Sequence, residues 1–282
     1  MITAKGLTYT YPGAQAQTLH GIDFEIADGE IFGFLGPSGA GKSTTQKVLI
    51  GLLTGYGGQI QAMGRELSSW GHQYYEHVGV CFELPNHYRR LSALENLQHF
   101  GSLYQGATRD PMEVLELVNL GQDPHKRVSD FSKGMKIRLN VARSLLHRPK
   151  LLFLDEPTSG LDPVNARNIK DLVLKLRRDE GTTVFVTTHD MTVADELCDR
   201  VGFITSGHLR TLDTPEALKR RYGQRKVRVQ SGQDTQEFPL DGLGQNTDFL
   251  DYLSAHPIDA IHSQETTLES VFIQVTGQEL RP

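Results

Sequence analysis

Apolar positions in this chain fall into two rhythms, and their alternation predicts an architecture. Short apolar-rich runs at Ile31–Leu35, Val78–Phe82, Leu151–Leu154 and Thr183–Thr187 read as strands buried on both faces. Between them, Lys42–Leu53, Ala93–Tyr104 and Pro163–Arg178 repeat apolar residues at helical spacing; in the second, Leu94, Leu97, Phe100, Leu103 and Tyr104 share a face. Strands alternating with helices in this way predict an α/β core, a mostly parallel sheet covered on both sides. Residues 2–34 read differently. Leu7–Tyr11 runs into the Pro12-Gly13 turn, and Ile22–Ile26 alternates apolar with polar before Asp28-Gly29, which predicts a subdomain of short antiparallel strands. The glycine-rich stretch 55–64 predicts a hairpin. Residues 85–150, broken by Pro111, Gly121 and Pro124, predict an inserted α-helical subdomain.

Near residue 222 the texture changes. Lys219–Arg228 contains six basic residues, whereas 230–282 contains nine Asp or Glu and one Arg. The expected organisation is a main domain over 1–222 and a small α+β C-terminal extension over 223–282. The basic cluster reads either as a solvated helix end or as a surface for anionic lipid or a partner. A net charge of −5 argues against a nucleic-acid coat. No apolar run reaches bilayer length, and Met1–Gly6 lacks a signal-peptide core. Cys81 and Cys198 are far apart in sequence, with no metal or disulfide spacing. The chain therefore reads as a soluble protein of a reducing compartment.

Chemistry concentrates at Gly36-Pro37-Ser38-Gly39-Ala40-Gly41-Lys42-Ser43-Thr44, which fits G-x-x-x-x-G-K-[ST] between a buried strand and a helix. Glycines there let successive N–H groups form an anion nest, and the helix N-terminus adds partial positive charge. Lys42 is placed to reach β- and γ-phosphates and the Ser43 hydroxyl to take a position on Mg²⁺. ATP with Mg²⁺ is the expected ligand. A second constellation ends the strand Leu151–Leu154: Asp155 is positioned to hold Mg²⁺ and Glu156 is the candidate general base for the attacking water.

Further residues turn these motifs into a family resemblance. Pro157-Thr158-Ser159-Gly160-Leu161-Asp162 follows Glu156, Phe131-Ser132-Lys133-Gly134-Met135 precedes a helix, and His189 stands after the strand in Thr187-Thr188-His189-Asp190. Over residues 1–220 the set resembles the ATP-binding subunit of an ATP-binding-cassette (ABC) transporter, a P-loop NTPase. The resemblance implies an ATP hydrolase acting as a head-to-tail homodimer, or a heterodimer with a second cassette, in which Ser132 and Gly134 grip the γ-phosphate of the facing subunit's ATP. It also implies that Asp162 lies in the loop sensing the partner's site, that His189 contacts the γ-phosphate, and that Tyr11 stacks on adenine, with Tyr9 close by. Taken alone, Ser132 would serve equally as a helix cap.

Three positions depart from the family. Lys133 and Met135 stand where it has Gly and Gln, and Glu83 stands where it has a metal-ligating Gln. A carboxylate at Glu83 is expected to bind Mg²⁺ more tightly and to make hydrolysis slower or more dependent on partner contact; the alternative is a plain loop residue, with water completing the metal shell. The segment Thr267–Gly277 is similar to the closing motif of cassettes serving drug, antibiotic and lipid-type exporters, in particular bacterial multidrug or fluoroquinolone-type subunits. That implies export of a small molecule through separate membrane-spanning subunits, with this chain peripheral on the cytoplasmic face of a bacterial membrane. The segment 85–105 would form the docking groove, with Tyr88, Arg89 and Arg90 near the partner. Alternatives are a soluble cassette ATPase not coupled to transport, and a nucleotide-gated regulatory module. The single cassette weakens the first, and the retention of Lys42, Asp155, Glu156 and His189 weakens the second.

Overall fold

A computed structural model describes residues 1–223, 226–264 and 266–277. The chain forms two compact units, divided after Thr214. In chain order the first begins with β1 (Ile2–Tyr9), β2 (Leu19–Ile26), β3 (Ile31–Leu35), α1 (Lys42–Leu49), β4 (Gly57–Ala62), β5 (Arg65–Glu66) and β6 (Val78–Cys81). Next come α2 (Ala93–Gly101), α3 (Pro111–Leu117) and α4 (Lys133–Leu145), then β7 (Leu151–Asp155), α5 (Pro163–Glu180), β8 (Thr183–Thr188), α6 (Met191–Leu197), β9 (Arg200–Thr205) and β10 (His208–Asp213).

The central sheet has the order β10-β9-β3-β8-β7-β6, parallel throughout except for the β9–β10 hairpin. Every residue of β3, β7 and β8 is buried, which is why these strands read as apolar runs, polar only at Asp155 and at the threonines of β8. A second, antiparallel sheet runs β2-β1-β4-β5, with inward and outward residues alternating along β2. The expected 55–64 hairpin is realised as β4 turning into β5, and β4 also pairs with β1. Between the sheets lies one core, where Phe24, Phe32, Phe34, Phe153 and Phe185 pack ring on ring at 5.6–6.5 Å. Such pairs add about 0.5–1.5 kcal/mol each beyond the apolar area they bury.

Two helices are shorter than their apolar spacing predicts. Helix α1 stops at Leu49, ahead of Gly51 at φ +76, so Leu52 is left exposed. Helix α2 is fixed at its start by a Ser92–Glu95 capping box and ends at Gly101, leaving Leu103 outside its face and 65% exposed. The 85–150 segment is three α-helices joined by long irregular stretches, broken as its prolines and glycine predict.

The second unit holds α7 (Pro215–Tyr222), β11 (Lys226–Ser231), β12 (Asp234–Pro239), α8 (Thr247–Ala255), β13 (Ala260–Gln264) and α9 (Leu268–Thr276). Its sheet, β12-β11-β13, is antiparallel, and Val227, Val229 and Phe238 pack against Phe249 and Tyr252 of α8. Its start differs from the boundary expected near 222. Helix α7 packs with α9 and so groups with this unit. The composition shift marks only its last turn, Lys219, Arg220 and Arg221, where cations favour the helix C-terminus.

Half-buried His87 and buried His147 make the fold pH-sensitive. Burial is the chief cause that pushes His87 and His147 down to about 4 from 6.5. Between those values the unfolded chain binds protons the folded chain does not, so stability rises with pH, by about 1.4 kcal/mol per pH unit for each histidine. Urea unfolding at pH 5 and pH 6.5 should show that loss on the acid side. His147→Phe should remove about half of it, leaving the share of His87.

Candidate active site

The phosphate loop sits at the C-terminal end of β3, where its backbone has little freedom. A Cβ at Gly36 would lie 2.2 Å from the Ile204 carbonyl oxygen, and Gly41 has φ +110, so both positions call for glycine. Gly41 is also the N-cap of α1 and offers no side chain, which leaves the first N–H groups of the helix directed outward for an anion. Lys42, buried, donates from Nζ to the carbonyl oxygens of Gly36 (2.6 Å) and Pro37 (3.1 Å). An ammonium has three donors, so one remains for a phosphate oxygen. Burial lowers the Lys42 pKa, opposed by the carboxylates of Glu156, Asp155 and Glu83.

Loop residues 38–44 line a cavity of about 330 Å³ together with Glu83, Asp155, Glu156 and His189. The structure thus brings together the sequence-predicted loop, both strand-end acids and the histidine. The Tyr11 hydroxyl lies 3.1 Å from Thr44 Oγ1, which ties that ring to the loop; Tyr9 is buried and packs edge-on against it. A larger cavity, about 510 Å³, lies among Tyr56, Trp70, Tyr74 and Tyr75 and holds none of the phosphate-loop residues.

Glu156 is the best-fixed group in the cavity. Its backbone takes φ +49, a left-handed conformation uncommon for a residue with a side chain, and its N–H donates to the Thr187 carbonyl at 3.0 Å. Its Oε1 lies 2.7 Å from His189 Nδ1, and its Oε2 accepts from the Thr188 hydroxyl at 3.0 Å. Since a carboxylate only accepts, Nδ1 carries the hydrogen; the His189 side chain is 48% exposed. Asp155 is buried, with Oδ1 held by the Thr187 hydroxyl. Burial raises its pKa, and the Thr187 bond opposes the rise. A buried acid made costly by desolvation, beside a serine hydroxyl and a second carboxylate, is a donor set that suits Mg²⁺, which takes one or two carboxylates and completes its shell with phosphates and water. Among the described residues no three His, Cys, Asp or Glu side chains form a closed metal cage.

Beyond Tyr11, Gly36 and Pro37 at its edge, Ser132, Gly134 and Asp162 are predicted residues that do not line this cavity. Ser132 N-caps α4, its hydroxyl accepting from the Met135 N–H at 3.2 Å, so the cap reading is realised. Gly134 adjoins Leu161, and the Lys133 side chain lies across Gly160, where a Cβ would come within 2.9 Å of its Cε. Asp162 N-caps α5 and bonds the Asn165 side chain, which is the leading cause of its lowered pKa. Sequence reasoning missed Thr187, Thr188 and Gln46, all buried beside the acids; the one available signal was two hydroxyls closing an otherwise apolar strand. It also missed the ties between the loop after β6 and α4. Asn140 donates to the Phe82 carbonyl, Arg143 donates to the Asn86 carbonyl and to Asn140 Oδ1, and His87 Nε2 pairs with the Lys136 carbonyl, all at 2.6–3.0 Å.

A phosphate loop on a parallel sheet, with strand-end acids and a histidine facing it, defines a nucleoside-triphosphate hydrolase of the cassette type. The family described as "ABC transporter" matches residues 19–159, and "Fluoroquinolone efflux ABC transporter C-terminal domain" matches residues 225–265. The chain is 53% identical over 285 residues to the fluoroquinolones export ATP-binding protein MT2762 of Mycobacterium tuberculosis, covering 99% of this chain and 94% of that one. It is 37% identical to the bacitracin transport ATP-binding protein BcrA of Bacillus licheniformis, over 78% of this chain and 72% of that one. Among solved structures, the dimeric ATP-binding cassette MJ0796 bound to ADP and phosphate matches with a TM-score of 0.70 at 26% identity, over 76% of this chain and 98% of that one. The chain belongs to the ATP-binding subunits of ABC transporters. It is an ATPase of the transport-coupled class.

Proposed function

We propose that this chain powers the export of fluoroquinolone-like small molecules, pairing with a second cassette and with separate membrane-spanning subunits at the cytoplasmic face of the membrane. The observation that carries the reading is likeness along the whole chain: 53% identity over 99% of its length, including a C-terminal segment that matches a domain described for fluoroquinolone efflux. No helix among the described residues is long and apolar enough to cross a membrane, and separate membrane-spanning subunits would supply the passage for cargo.

The site supports specific roles. Loop residues Gly36–Thr44 and Lys42 hold the phosphates, and the Tyr11 ring meets the adenine. Glu156, held by His189 and Thr188, takes a proton from the attacking water. Bound Mg²⁺, held by Ser43, Asp155 and Glu83, would neutralise charge on the transferring phosphoryl group. Ser132, Gly134 and Asp162 lie outside the cavity, which fits residues that serve the nucleotide of a facing cassette. The ties from α4 to the loop carrying Glu83 offer a route by which a membrane subunit docked near the exposed Leu84 and Tyr88 could shift Ser132.

A tagged chain isolated from membranes of its source is expected to bring an integral membrane protein with it. Vesicles holding that pair should accumulate a fluoroquinolone only with ATP, and ATP-independent or absent uptake would overturn the cargo assignment. Glu83→Gln should raise the Mg²⁺ concentration for half-maximal ATPase and increase kcat; superimposable Mg²⁺ curves would remove Glu83 from the metal set.

A further inference from the structure

Two neighbouring acids at one strand end must do different work, and something has to keep them apart. Asp155 and Glu156 adjoin in sequence and line one cavity with Lys42, on which both charges act. Either carboxylate could in principle turn toward the cation or toward the water. Directly beside them, β8 ends in Thr187 and Thr188, which are 0% and 1% exposed. Strands β7 and β8 run parallel with Asp155 opposite Thr187, and alternation along β8 sends the two hydroxyls to opposite faces.

Each hydroxyl is committed to one acid. Thr188 Oγ1 accepts from the Asp190 N–H at 3.0 Å, so its own proton is available for Glu156 Oε2, also at 3.0 Å. With His189 on Oε1, both oxygens of Glu156 are held. Thr187 Oγ1 is surrounded by oxygen acceptors: Asp155 Oδ1, Leu154 O and Gln46 Oε1. Its single proton goes to Asp155, the closest and the only carboxylate among them. Gln46 is buried on α1 and its Nε2 has no partner. Exchanging O and N of that amide resolves both conflicts, because Nε2 then donates to Thr187 Oγ1 and the hydroxyl donates on to Asp155.

We propose that Thr187 and Thr188 are positioning residues that assign the two acids to separate duties, Thr187 fixing Asp155 for the metal and Thr188 fixing Glu156 for the attacking water. The inference rests on the roles given to those acids above. Its signature is a double dissociation. Thr188→Val lowers kcat about ten- to a hundredfold, the effect of losing a hydrogen bond to a charged group, and leaves Mn²⁺ affinity in the ATP complex within about twofold. Thr187→Val does the reverse: Mn²⁺ affinity with ATP falls about tenfold or more, while kcat at saturating metal stays within about threefold. Serine at either position retains the hydroxyl and restores the affected parameter.

The test uses the purified full-length chain, with Mn²⁺ binding in the presence of ATP followed by electron paramagnetic resonance beside steady-state ATPase. If a valine variant fails to fold, the alanine variant at that position carries the same expectation. Valine variants that leave both parameters unchanged, or that each shift both together, overturn the assignment, as does failure of serine to rescue. Glu156→Gln serves as the reference. If it retains full turnover, the role of Glu156 itself is wrong, whereas an inert Glu156→Gln beside a fully active Thr188→Val refutes only the positioning.

Discussion

Glu156→Gln is expected to bind ATP normally and to hydrolyse it about a hundred- to ten-thousandfold more slowly, the range spanned by removal of a general base. The substitution keeps the shape of the side chain. An amide oxygen still accepts from the Thr188 hydroxyl, so the left-handed turn at φ +49 keeps its anchor. What disappears is an acceptor for the water's proton. Binding groups are untouched, because Lys42 and the N-terminus of α1 hold phosphate independently of Glu156. Trapped triphosphate should then hold two chains together, and gel filtration with Mg·ATP should show a dimer that the parent chain forms only transiently. Single-turnover phosphate release measures the first effect. A variant that turns over at the parent rate, or that stays monomeric with ATP bound, would return the base role to another residue.

Legibility in the sequence followed the physical origin of each feature. Buried parallel strands were readable because burial on both faces leaves few polar positions: β3 coincides with the run that pattern alone picks out, and β7 and β8 each extend theirs by one residue. The phosphate loop was readable because Gly36 and Gly41 answer to local constraints, a close carbonyl and a left-handed backbone, which reduce to residue type. Helix ends were less legible. Leu52 and Leu103 continue the apolar spacing past the true ends of α1 and α2, and only tertiary packing decides that they are exposed. The division after Thr214 was displaced for a related reason, since charge reports on a helix surface while Pro215 and Leu218, the buried residues of α7, determine which unit it joins. Thr187 and Thr188 were illegible as site residues. A hydroxyl in an apolar run reads as tolerated polarity until the acids of the neighbouring strand are placed beside it.

Lys42→Ala is expected to weaken ATP binding about ten- to a hundredfold and to abolish turnover, through two losses that act in the same direction. The first is the charge-assisted bond to phosphate, made by an ammonium already held by the Gly36 and Pro37 carbonyls so that little side-chain entropy is lost on binding. The second is electrostatic. Glu156, Asp155 and Glu83 all act on Lys42, and Lys42 in turn lowers the Asp155 pKa against the upward push of burial. Without the lysine, a triphosphate carrying several negative charges must approach acids that have lost a counter-charge. Lys42→Arg should not rescue, because a planar guanidinium cannot fit where a compact ammonium sits buried between two carbonyls. Titration with a fluorescent ATP analogue at fixed Mg²⁺ gives the affinity, and phosphate release gives the turnover. An affinity within twofold of the parent would show that the loop amides alone retain the phosphates and that Lys42 balances the acids without touching nucleotide.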